Sequence, residues 1–157
     1  MKTTVTETPL DEPAAWITFF QIYGAYLAFP VALTAMMGSL YYSEIVGYLP
    51  CKLCWIQRIL MYPLTIITLV GILKDDEYLP TYVLPFSVLG MCISTYHYLL
   101  QMKVITTNSC GDLTCSSIEV SYLGFITIPF MALTAFIMIT VIMSLTQWAY
   151  AQMEEEE

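Results

Sequence analysis

Charge is what this sequence has least of. Only 11% of its 157 residues are Asp, Glu, Lys or Arg, against about 25% in a soluble domain. Five of them are basic, Arg58 is the only arginine and His97 the only histidine. With a net charge of −8, such a chain offers nothing to phosphate, which argues against nucleic acid and anionic headgroups as partners. The scarcity is also patterned. No charged residue falls in Pro13–Ser43, Ile59–Leu73, Tyr78–Met102 or Val120–Met153.

Other absences narrow the reading further. The four blocks lack the polar face that a soluble helix repeats every 3.6 residues, so buried helices of a water-soluble domain are excluded. A basic leader before a short apolar run is missing, since Met1–Pro13 is net acidic and the first block is about twice a signal's apolar length; the first helix is expected to stay in the mature protein. No repeat of about 20–50 residues is visible, which leaves one domain. Nor is there a basic bias between sides: Lys2 and Lys74 fall on one, Lys52 and Lys103 on the other, so loop charge gives no orientation.

What is present is hydrophobicity, 58% of the residues. About 20 helical residues cross a hydrocarbon core. Three blocks reach that length unaided, and the second does so as Leu53–Leu73 with Arg58 near one end, where a long basic side chain reaches the interface. The expected fold is an all-α membrane protein, a bundle of four transmembrane helices at Trp16–Tyr41, Cys54–Leu73, Leu79–Gln101 and Tyr122–Trp148, forming one domain with short acidic tails. Pro30, Pro63, Pro85 and Pro129 place one proline inside each helix, where membrane helices tolerate a kink.

Four of the five cysteines come in pairs: Cys51 and Cys54 as C-x-x-C, Cys110 and Cys115 as C-x-x-x-x-C. One pair lies between helices one and two, the other between three and four, so both face one compartment and can exchange disulfides. A structural zinc site and two inert disulfides remain open alternatives; the wide second spacing fits zinc poorly, and C-x-x-C is linked with reactive thiols. Cys92, alone within helix three, reads as packing. Pro50 suits a helix start, which puts Cys54 in the first turn, where unpaired N–H groups favour a thiolate. Arg58 follows four residues later on the same face. His97 sits at a similar depth in helix three, where it either flanks a ligand with Arg58 or bonds a neighbour.

The run Pro50-Cys51-Lys52-Leu53-Cys54-Trp55-Ile56-Gln57-Arg58-Ile59-Leu60-Met61-Tyr62-Pro63-Leu64 resembles the signature of the DsbB/BdbC disulfide-bond formation proteins, the BdbC branch above all. Tyr82-Val83-Leu84-Pro85, His97-Tyr98-Leu99 and Phe125-Ile126-Thr127-Ile128-Pro129-Phe130 extend the likeness through helices two to four. The resemblance implies an enzyme of the prokaryotic cell membrane. It would reoxidise an extracytoplasmic thioredoxin-like thiol oxidase and pass two electrons to membrane quinone, menaquinone or ubiquinone.

It further implies redox disulfides Cys51–Cys54 and Cys110–Cys115, with Cys54, Arg58 and His97 beside the quinone. Cys110 would take the mixed disulfide and Cys115 would then attack Cys51, although the tight second spacing leaves the order within that pair open. Vitamin K epoxide reductases share four helices, C-x-x-C and quinone, but carry the quinone-side motif late in the chain. An outward-delivering reductase would need the same residues and differ only in redox poise. Disulfides persist outside the cell, so the cysteine loops are expected there and the termini in the cytoplasm.

Overall fold

In hydrocarbon no water is available to take a backbone N–H or C=O, so each apolar block satisfies its own backbone as a helix. The computed structural model describes residues 12–104 and 127–154. Within them lie α1 (Glu12–Leu40), a π-helical turn (Tyr41–Ile45), α2 (Lys52–Lys74), α3 (Leu79–Gln101) and α4 (Ile128–Glu154). All four helices are long and apolar enough to cross a membrane. The protein is a four-helix membrane bundle.

The expected bounds of α3 match those observed, and those of α2 fall within the observed helix. Helix α4 differs. Thr127 is not helical, residues 122–126 lie outside the described residues, and the helix runs on to Glu154. Pro129 is therefore the second residue of α4 rather than an interior kink, a place where its missing N–H leaves no intrahelical bond unmade. Pro30, Pro63 and Pro85 are interior. Helix α1 ends in a wider turn: the Val46 N–H donates to the Tyr41 carbonyl at 3.1 Å, five residues back, a geometry frequent at functional sites.

The α2–α3 connection is short because its caps do the turning. Asp75 adopts a left-handed conformation, φ 52°, while the N–H groups of Asp75 and Asp76 return to the carbonyls of Ile72 and Gly71, closing α2. The Asp76 carboxylate then accepts the Tyr78 N–H at 2.9 Å, and Pro80 enters the first turn of α3.

Each helix packs on the next and α4 returns onto α1, closing a ring. Its centre holds Ala28, Ala32, Met61, Leu64, Val83, Phe136, Ile139 and Met143. Buried hydroxyls bond within their own helices, Thr68 to the Leu64 carbonyl at 2.6 Å and Thr65 to that of Met61 at 3.2 Å. At the end remote from Cys51, α1 and α4 are fastened together. Thr146 donates to the Phe20 carbonyl at 3.4 Å, Tyr150 to that of Gln21 at 3.3 Å, and Gly24 lies where any side chain would strike Thr146.

The outer surface is apolar. Trp16, Tyr78 and Trp148 are exposed toward one end, Tyr41 and Trp55 toward the other, as membrane interfaces favour. Cys92 is exposed, which corrects its reading as core packing. The buried face of α3 runs through Ser87, Gly90, Ser94 and His97, and position 92 falls about 200° away from its neighbours on that face at about 100° per residue.

Gly90 admits the Phe136 ring so closely that a Cβ would collide with it, whereas Gly38 has open space. Phe136 is fully buried and cannot yield freely. Gly90→Ala is expected to lower stability by about 1–3 kcal/mol and Gly38→Ala to leave it unchanged, as read by thermal unfolding in detergent. In the same measurement Cys92→Ala, a surface change, should stay within about 0.5 kcal/mol of the parent.

Candidate active site

Cys51 opens the site as the cap of α2. Its backbone is extended and its sulfur accepts the Cys54 N–H at 3.4 Å, so a cysteine fills the role usually taken by Ser or Asp. Lys52 is the first helical residue, which moves the helix start two residues past Pro50, the expected opener. Cys54 is still in the first turn, where backbone N–H groups converge. The two sulfurs are 3.1 Å apart, with the Cys51 thiol donating to Cys54. Both are free thiols.

That hydrogen bond and burial push the Cys51 thiol up from 9.0 to about 12, while contacts from His97 and the Cys54 N–H pull less strongly the other way. Cys51 therefore holds its proton more tightly than an ordinary thiol does.

His97 is buried on α3 with Nε2 3.6 Å from the Cys51 sulfur, and Gln57 is buried on α2 with its amide nitrogen 3.5 Å from His97 Nδ1. Arg58 turns the other way. Its Nε donates to the Ser39 hydroxyl at 2.8 Å and a terminal nitrogen to the Ser39 carbonyl at 2.9 Å, with the guanidinium 5.7 Å from the Trp55 ring centre. One residue thus ties α2 to the last turn of α1 rather than only reaching toward headgroups.

A cavity of about 600 Å³ runs from Cys51 and Cys54 into the bundle, lined by Arg58 and Tyr62 of α2, His97 of α3 and apolar side chains of α1 and α4. Its volume suits a small organic molecule. Thr34 of α1 and Met138 of α4 line it and are also exposed, so among the described residues it opens sideways between those helices. The Tyr62 hydroxyl is buried with no partner among the described residues. Cys54, Arg58 and Tyr62 follow at four-residue spacing, one stripe down the cavity wall.

A family model described as disulfide bond formation protein DsbB matches residues 23–146. The chain belongs to the DsbB family. A probable disulfide formation protein C of Halalkalibacterium halodurans is 50% identical over 111 residues, 69% of this chain and 81% of its own. Disulfide bond formation protein C of Bacillus subtilis is 47% identical over 124 residues, 76% and 89% of the two chains. A probable disulfide formation protein of Coxiella burnetii is 42% identical over 127 residues, 78% and 83%. No solved structure gives a significant match.

As a DsbB-family member the chain is a prokaryotic membrane thiol oxidoreductase of disulfide-bond formation. Cys51, Cys54, Arg58 and His97 all line one cavity, while Cys110 and Cys115 lie outside the described residues. Gln57, Ser39 and Tyr62 went unread in the sequence. The available signal was their polarity within apolar helices, since such groups face a bundle's interior. The donor atoms of Cys51, Cys54 and His97 lie within 4.8 Å of one another, a spacing that an ion would fit.

The shared proton gives this DsbB-family site an asymmetric reactivity. In the reduced protein at about pH 8, Cys51 is expected to alkylate about a thousandfold more slowly than an ordinary thiol of the same access, with a rate still climbing toward pH 12. Cys54→Ala removes the main cause and should move that profile to lower pH. A pulse of iodoacetamide followed by peptide mass spectrometry reads both sites.

Proposed function

We propose that the chain is a thiol:quinone oxidoreductase that reoxidises an extracytoplasmic thioredoxin-like thiol oxidase and passes the electrons to membrane menaquinone or ubiquinone. The observation that carries this reading is the apolar cavity that starts at Cys54 and opens sideways to where lipid would lie. A quinone supplies a two-electron sink with carbonyl oxygens at its rim. The cavity suits such a group: Arg58 lines it with a cation one turn from Cys54, the orphaned Tyr62 hydroxyl offers a donor further in, and much of the remaining wall is apolar.

In this reading electrons enter at Cys110–Cys115, which trades its disulfide with the partner's dithiol. The reduced second pair then exchanges with Cys51–Cys54 by thiolate attack on a disulfide sulfur. The Cys54 thiolate faces the acceptor, and the Arg58 cation favours the negative charge that develops there in a medium of low dielectric. Disulfides survive outside the cytoplasm, which sets the cysteine end extracytoplasmic and the termini cytoplasmic.

The test is turnover of purified protein with a reduced thioredoxin-like partner as electron source, measured against quinone concentration. Arg58→Met should raise the apparent quinone KM about tenfold or more, the worth of a charged hydrogen bond. Single-turnover oxidation of the partner without quinone should be spared. Ser39→Ala, which removes one acceptor of the α1–α2 tie and keeps the charge, should change the KM far less. Equal effects from both variants would make Arg58 a clamp only and remove its role at the acceptor.

A further inference from the structure

Re-forming the Cys51–Cys54 disulfide requires Cys51 to lose its proton in a place with little access to water. Cys51 is 9% exposed, His97 2% and Gln57 5%. His97 Nε2 stands 3.6 Å from the sulfur that must give up the proton, and the other ring nitrogen meets the Gln57 amide. We propose that His97 is the proton acceptor for Cys51, a catalytic residue of the dithiol rather than of the electron acceptor, and that Gln57 positions its ring for that transfer. The inference rests on the quinone-linked reading only for the destination of the electrons.

The chemistry balances as follows. Cys51 S–H and the Cys54 thiolate become one S–S bond, and the electron pair released goes to the quinone. The Cys51 proton passes to His97 Nε2, then leaves the ring toward the reduced quinone, which takes its second proton from solvent. Dithiol is oxidised and quinone reduced by two electrons.

Gln57 is suited to this by being neutral and two-handed. With its amide nitrogen toward the ring, as in the structure, Nδ1 accepts and Nε2 carries the hydrogen that faces Cys51. Half a turn of the amide presents oxygen to an Nδ1 hydrogen and leaves Nε2 bare, ready for the thiol proton. When the ring is doubly protonated the same oxygen holds Nδ1–H. An amide serves all three ring states. A carboxylate would only accept and would hold the ring charged; an apolar side chain would serve none.

The groups that could compete for the proton are few. Around the cavity the titratable or charged side chains are Cys51, Cys54, Arg58 and Tyr62 from α2, and Tyr42 and Tyr48 from the end of α1 and the following loop; α4 contributes none among the described residues.

The experiment uses the full chain in lipid nanodiscs, reduced beforehand, then mixed with menadione and quenched by alkylation at intervals. Re-formation of Cys51–Cys54 is read by mass spectrometry across about pH 5–9. Gln57→Leu should slow the step about tenfold to a hundredfold while the apparent quinone KM stays within about twofold and thermal unfolding is unchanged. Gln57→Glu should retain the rate at high pH and move the acid limb about one pH unit upward, a displacement that a merely structural role would not produce. His97→Ala should lose more, with rate recovered as pH rises.

Gln57 variants that match the parent in rate and pH profile, or that change only the KM, overturn the proposal. Failure of the parent itself to respond to menadione would instead overturn the quinone reading. The series is then repeated with oxidised glutathione, against which Cys51 must still shed its proton and the same pattern of variants is required.

Discussion

Two hydrogen bonds from Arg58 to Ser39 hold the cysteine end of the bundle in shape. They bind the only arginine of the chain to the last turn of α1, just before the backbone widens into its π-helical turn. An arginine in hydrocarbon must find acceptors, and a Ser hydroxyl with its own carbonyl gives it two at once. The opposite end is held differently, by Thr146, Tyr150 and the close approach at Gly24. The cavity lies between the two fastenings.

Hydropathy made much of the fold readable. Four blocks without charge read as spanning helices, and four helices of that length and apolarity are present among the described residues. The bounds of α3 needed no revision, because Pro80 and the acidic turn before it mark its start. Thr127 was read as helical and is not, because Pro129 is as compatible with a first turn as with an interior kink. Cys92 was misread for a related reason: in a membrane helix both faces are apolar, so a small apolar residue does not reveal which way it points.

The site was legible where its residues react or carry charge and obscure where they only hydrogen-bond. Cys51, Cys54 and Arg58 announce themselves by spacing, and His97 by being the only one of its kind. Gln57 sits between Cys54 and Arg58 in the same run yet has neither charge nor nucleophilicity. Its importance appears only when α3 brings His97 against it. The contact between His97 and Cys51, rather than Cys54, also depends on a helix packing that no spacing within α2 encodes. In the structure the Cys51 sulfur meets His97, and both sulfurs line the cavity that Arg58 also lines.

The sideways mouth between α1 and α4 changes what concentration means for whatever enters it. A molecule arriving there comes from the plane of the bilayer, so its occupancy follows its mole fraction among lipids and not its molarity in water. Because the groove walls are apolar, affinity measured in detergent reflects dilution into micelles as much as contact with the protein. The same preparation would look weaker in excess detergent and stronger in a small lipid disc with no atom of the cavity displaced.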